Sequence, residues 1–143
     1  MNEANLMQLI WRLQHRLRDY LKQTAYELGI SNEYMAVLGY LARHPGAEQK
    51  SVIESCRVSD AAVSRTITAM LREGYIRRDE IPGPERLKYL YLEPRGEQIN
   101  ARINARFAQT DARITQLLTP EKEAEIKAAL EALEQLICGG IDA

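Results

Sequence analysis

The 143-residue chain carries 19 basic and 20 acidic side chains, a formal charge of −1, and 45% hydrophobic residues. This is material for one domain with a sizeable core, or for a small domain with extra helices, and the near-neutral balance does not announce a nucleic-acid partner. No apolar run approaches the ~20 residues of a membrane span, the N-terminal stretch MNEANLMQLIWRLQHR is too charged for a signal peptide, and two cysteines and two histidines offer neither a disulfide framework nor a matched set of metal ligands.

A cytoplasmic protein with no membrane association, no metal and no cofactor is therefore expected. The charge is unevenly spread. Residues 57–95 hold eight basic against six acidic groups, whereas residues 96–143 hold five against eight. A mildly basic middle between neutral and acidic ends is compatible with DNA contact there.

In chain order, Leu6, Leu9, Ile10, Leu13, Leu17, Tyr20, Leu21 and Leu28 recur every three or four residues and predict one long helix from about Asn5 to Leu28, ended by Gly29. Its apolar face exceeds what one small domain can cover, so a second chain is expected against it. Ser31 caps the next helix, with Glu33 in its first turn and Met35, Val37, Leu38, Tyr40 and Leu41 as apolar positions. His44-Pro45-Gly46 stops it. Ala47 to Cys56 predicts a short helix with Val52, Ile53 and Cys56 inward, and Arg57-Val58 links it to the next.

The stretch from Ser59 to Gly74 predicts a helix that starts on a serine cap and stops at a left-handed glycine. Val63, Ile67 and Met70 form its apolar stripe. The opposite face carries Ala61, Ala62, Arg65, Thr68, Ala69 and Arg72, with Ser64 on its flank. Small residues let such a face approach a DNA major groove, and Arg and Thr can reach base edges or phosphates. A short helix, a tight turn and this helix make a helix-turn-helix.

Tyr75 to Asp79 then predicts a strand, Ile81-Pro82-Gly83-Pro84-Glu85 a turn, and Leu87 to Leu92 the returning strand. A β-hairpin placed after a recognition helix is a wing. Arg86 at its tip, with Lys88 behind it, is suited to a minor groove or a phosphate. Pro94 opens a long helix to about Leu118, with Ile99, Ile103, Phe107, Ile114, Leu117 and Leu118 inward. Thr119-Pro120-Glu121 starts a last helix with Ile126, Leu130, Leu133, Leu136 and Ile137 as its stripe, stopped by Gly139-Gly140.

This order resembles the MarR family of winged helix-turn-helix regulators over nearly the whole chain. The resemblance is carried by Ile30-Ser31-Asn32-Glu33-Tyr34-Met35-Ala36-Val37-Leu38 with Leu41 and His44-Pro45-Gly46. Further matches are Val58-Ser59, Val63-Ser64-Arg65, Ile67, Met70, Gly74-Tyr75-Ile76 and Arg78, then Leu92-Glu93-Pro94-Arg95-Gly96 and Leu118-Thr119-Pro120-Glu121. At the wing tip this sequence departs from the family. Where the family usually has Asp-Arg-Arg, it has Pro84-Glu85-Arg86, leaving Glu85, Asp79 or Glu80 as partners for the arginine.

The resemblance implies a mainly α fold with a small β-hairpin. A winged helix-turn-helix lobe at 31–95 would be flanked by dimerisation helices at 1–29 and 96–143, all within one MarR-like domain over 1–143. It implies a homodimer on palindromic double-stranded DNA, with half-sites roughly 34–36 Å apart, and it allows a small-molecule or oxidant effector. The expected DNA-facing residues are Ser59, Ala61, Ala62, Ser64, Arg65, Thr68, Ala69, Arg72, Arg86 and Lys88. Ser64 could instead pack between helices, Arg72 could serve the helix dipole, and Arg77 or Arg78 could pair with Asp79 or Glu80.

Trp11 and His15, four apart, could line an effector pocket with Tyr20, Tyr26, Tyr34 and His44, although packing explains each as well. Cys56 reads as a buried small hydrophobe rather than a redox switch, and Cys138 as a free thiol rather than an inter-subunit bridge. No catalytic constellation is present: Ser64 lacks a His-acid pair and there is no Gly-rich phosphate loop. A repressor is the expectation. The alternative is a winged-helix adaptor that binds proteins and not DNA.

Overall fold

Helix α1 (Leu6–Glu27) begins in a capping box: Asn5 Oδ1 accepts from the Gln8 amide at 2.9 Å, and Gln8 Oε1 accepts from the Asn5 amide at 2.8 Å. The computed structural model describes residues 3–56 and 59–140. Of α1, only Thr24 and Ala25 are buried, whereas Leu6, Leu9, Leu13 and Leu17 stay exposed. Ser31 caps α2 (Asn32–Arg43) by accepting from the Tyr34 amide, and Val37, Leu38 and Leu41 enter the core.

The stretch expected to be helical from Ala47 starts differently. Ala47–Glu48 is a short strand, β1, and α3 spans Gln49–Ser55. The cause is non-local. The Gly46 amide donates to the Leu90 carbonyl at 3.0 Å, which lays Ala47 opposite Leu90 and Glu48 opposite Tyr89. Val52 and Cys56 point inward as expected, and Ile53 is half-buried. The linking residues Arg57 and Val58 lie outside the described residues.

Helix α4 (Asp60–Arg72) starts on Ser59, whose hydroxyl accepts from the Ala62 amide at 3.3 Å. It ends in a Schellman turn: Tyr75 N–H donates to Met70 O at 3.0 Å and Gly74 N–H to Leu71 O at 3.3 Å, with Gly74 at φ +78°. The chain passes at once into β2 (Ile76–Ile81) and returns as β3 (Leu87–Leu92). Ile81, expected in the turn, pairs with Leu87. The antiparallel sheet runs β1-β3-β2, so the expected hairpin gains a third strand. The fold is mainly helical with a small sheet, in the winged-helix arrangement.

Two compact units divide the chain, Met1–Asn104 and Ala105–Ala143. The first holds the core, built on Val37, Leu38, Leu41, Val52, Val63, Ile67, Met70, Ile76 and Leu90. Helix α5 (Pro94–Leu117) contributes Ile99 and Ile103 to the buried set. The inward positions expected further along α5 are not covered: Ile114 is 52% and Leu117 85% exposed. Helix α6 (Pro120–Cys138) buries no residue, although Thr119 caps it and Pro120 opens it as expected. The second unit is a helix pair, and two helices alone cannot cover all of their apolar stripes.

Gly96, in the first turn of α5, faces the chain just after α4. A Cβ there would overlap the Tyr75 carbonyl oxygen and stand 3.4 Å from a Leu38 methyl. Backbone cannot yield as a flexible side chain can, so Gly96→Ala should cost about 1–3 kcal/mol in urea unfolding. Gly83→Ala at the open wing turn, where a Cβ meets nothing within 4 Å, should stay within about 0.5 kcal/mol.

Candidate nucleic-acid interface

The inner stripe of α4, Val63, Ile67 and Met70, is wholly buried, which fixes the rotation of the helix about its axis. Ala61, Arg65, Thr68 and Arg72 are consequently exposed, and Ala62, Ser64 and Ala69 half-buried. Two hydroxyls of the expected set also serve the helix. Ser59 Oγ is occupied as the N-cap acceptor. Thr68 Oγ1 donates to the Ser64 carbonyl at 3.0 Å, which leaves its lone pairs to accept. Among the described residues Arg65 forms no ion pair, so its guanidinium is available to a base edge or a phosphate.

The wing places its arginines in different circumstances. The turn is closed by the Arg86 amide donating to the Gly83 carbonyl at 3.2 Å, with Arg86 itself at φ +41°. None of the carboxylates expected to hold Arg86 pairs with it among the described residues. Glu80 instead takes Arg78 at 3.3 Å, and Arg78 also donates to Gln49 Oε1, tying β2 to the start of α3. Arg77 lies over the Tyr91 ring at 4.2 Å and 3.8 Å from Glu93, so its partner is neither Asp79 nor Glu80. Arg86 and Lys88 line one cleft with Lys50, Glu54, Asp60 and Glu85. The cleft between wing and helices is thus of mixed charge.

A set of contacts at the far end of α4 was not expected as functional. Arg95 Nη1 donates to the Glu73 carbonyl at 2.6 Å, and its guanidinium lies 4.3 Å over the Tyr75 ring. Tyr34 donates its hydroxyl to Glu73 Oε2 at 3.1 Å and meets Tyr75 edge-on. Burial, and then the bond to Glu73, push the Tyr34 hydroxyl above its ordinary pKa. The only local sign of this cluster is an arginine after Pro94; its partners are set by the fold.

The aromatic residues considered for an effector pocket divide among local contacts. Trp11 and His15 stack at 5.2 Å, both exposed. Tyr34 is engaged with Glu73 and Tyr75, and His44 lies against Tyr40 at 4.6 Å. Tyr20 is half-buried and Tyr26 exposed. Cys56 is buried, and that burial raises its thiol pKa, opposed by the Ser55 hydroxyl. Cys138 is free and exposed.

With this geometry in view, comparisons with known proteins are informative. Residues 28–87 match the model of the MarR family. The transcriptional regulator HosA of Escherichia coli O111:H- is 32% identical over 92 residues, covering 61% of this chain and 68% of the relative. The chain belongs to the MarR family. It is accordingly a transcriptional regulator of that family and not an enzyme.

The HTH-type transcriptional regulator BilQ of Clostridium symbiosum is 22% identical over 80% of this chain and 79% of its own. In fold, this MarR-family chain is similar to MepR, a transcription regulator of the multidrug efflux pump MepA of Staphylococcus aureus. The TM-score is 0.76 at 20% identity, covering 94% of this chain and 99% of MepR. A MarR-like regulator from Bacillus cereus gives the same score at 21% identity over 91% of this chain and 94% of the other. No helix among the described residues is long and apolar enough to cross a membrane.

The two thiols should differ in reactivity. At pH 8 a disulfide reagent should titrate Cys138 rapidly and Cys56 only slowly, because the raised pKa leaves less thiolate in the fold. The slow phase should accelerate as pH rises, and a Cys138→Ser variant should lose the fast phase alone. Rapid reaction of both thiols would contradict the burial of Cys56.

Proposed function

We propose that the chain is a homodimeric repressor that binds a palindromic operator. The observation that carries this reading is the outer face of α4, with small residues along its length and Arg65 held outward without an ion pair among the described residues. Arg86 on the wing supplies a second cation for the backbone or the minor groove. A solved complex of MepR with DNA supports the same use of a similar fold. Ser59, Ala61, Ala62, Ser64, Thr68, Ala69, Arg72 and Lys88 complete the proposed contact surface.

Residues 31–95 act in this reading as the DNA-binding lobe, and the helices of 1–29 and 96–143 as the dimer contact. Exposed apolar residues support the second assignment: Leu6, Leu13 and Leu17 on α1 are 59%, 58% and 53% exposed, and Leu136 on α6 is 64% exposed. Apolar residues left exposed at helical spacing along one helix face mark a surface that another chain can cover. An effector, whether a small molecule or an oxidant, would act by changing the separation of two recognition helices across the dimer axis.

Retention of genomic fragments at several salt concentrations tests the reading. The protein should select particular fragments, with binding that falls steeply as salt rises. Arg65→Ala should cost about 1–3 kcal/mol on the selected fragment and relax its sequence preference. Arg86→Ala should weaken binding across sequences and reduce the salt slope by about one. If no fragment is retained at low salt, the repressor reading fails and a protein-binding adaptor replaces it. For the dimer, Leu13→Glu should shift sedimentation toward the monomer mass; an unchanged mass would remove α1 from the contact.

A further inference from the structure

We infer that Arg95 is a positioning residue for DNA reading, acting through the C-terminal end of α4; the inference rests on the DNA-binding role proposed above. The geometry is specific. At the end of α4 the Ala69 carbonyl accepts the Glu73 amide, Met70 O accepts Tyr75 and Leu71 O accepts Gly74. The carbonyl of the C-cap residue, Glu73 O, receives Arg95 Nη1 at 2.6 Å, a short charge-assisted bond at the negative end of the helix dipole.

The same guanidinium lies over the Tyr75 ring, its Cζ 4.3 Å from the centroid. The Glu73 side chain is gripped from the other side, by the Tyr34 hydroxyl of α2 at 3.1 Å. One residue at the helix end is thereby fixed by α5 through its main chain and by α2 through its carboxylate.

The lever is long enough to matter. At 1.5 Å per residue, Ala61 lies about 18 Å along the helix from Glu73, so a tilt of roughly 5° about that end displaces Ala61 by about 1.5 Å. A hydrogen bond to a base edge tolerates only a few tenths of that. The buried stripe seats α4 on the core and sets its rotation about its axis, and in this inference the hold on Glu73 adjusts the remaining tilt. The Arg95 side chain is thus engaged by protein groups, and its loss should be felt at base contacts made elsewhere on the helix.

The test uses anisotropy with the fragment that the wild type selects and with a scrambled duplex, at a temperature where circular dichroism shows each variant folded. Arg95→Gln should weaken binding to the selected fragment about tenfold, leaving affinity for the scrambled duplex and the salt slope unchanged. Arg95→Lys should stay close to Arg95→Gln, because an ammonium keeps the charge but not the planar stack on Tyr75. Tyr34→Phe should weaken specific binding in the same direction, and the double variant should be non-additive. If Arg95→Gln does not fold, Tyr34→Phe carries the test, and unchanged specific binding in it overturns the inference.

A fall in the salt slope by about one, with both duplexes weakened together, would make Arg95 a phosphate contact and overturn the inference. Wild-type affinity in Arg95→Lys would do the same. If the wild type selects a fragment and Arg95→Gln binds it equally, this inference alone fails. If the wild type retains nothing, the DNA-binding reading fails with it.

Discussion

The main chain of Tyr75 serves three elements at once. Its N–H closes α4 on the Met70 carbonyl, and its C=O accepts the Glu93 amide at 3.0 Å, joining the base of the wing. Gly96 of α5 packs against that same carbonyl with no room for a Cβ. One peptide neighbourhood therefore ends the recognition helix, begins the wing and seats the first turn of α5. The αL residue Gly74 makes this compactness attainable, because the chain must reverse within two residues to leave a helix and enter a strand.

A formal charge of −1 is compatible with the DNA contact proposed above, because that contact would rest on local groups rather than on the whole chain. Once the burial of Val63, Ile67 and Met70 orients α4, the charges that matter are few and local. Arg65 faces outward, Arg86 stands at the wing tip, and the other strand arginines are occupied: Arg77 by Tyr91 and Glu93, Arg78 by Glu80 and Gln49. Overall charge averages over acidic residues of α6 that lie in another unit of the chain. The relevant field is that of a helix face and a turn.

Local chemistry made most of the fold legible in the sequence. Caps such as Ser31, Ser59 and Thr119 bond where their residue types require. The helical stripe of α4 is buried residue for residue, and β3 spans Leu87–Leu92 as its run of β-formers indicates. What could not be read was set by distant partners. Ala47-Glu48 has no strand signature of its own and becomes β1 through its pairing to Leu90 and Tyr89. Adjacent acids in sequence suggested a partner for Arg77 or Arg78, and Arg78 does take Glu80; Arg77 instead lies against its cross-strand partner Tyr91 and Glu93, which only the strand pairing brings near. Ile114 and Leu117 read as inward by spacing, yet spacing shows which face is apolar, not whether one chain supplies a cover for it.

The order of the sheet has a further effect. With β3 in the centre, the two edges are β1, two residues long, and β2. Past Ile76, β2 exposes every residue, and Arg77, Arg78, Asp79 and Glu80 occupy four of those positions before Pro82 ends the run. A stray strand from another molecule that tried to extend the sheet would have to lie against a basic pair followed by an acidic pair on one side, or against a stub too short to hold it on the other. The wing can therefore project from the protein without acting as a seed for aggregation.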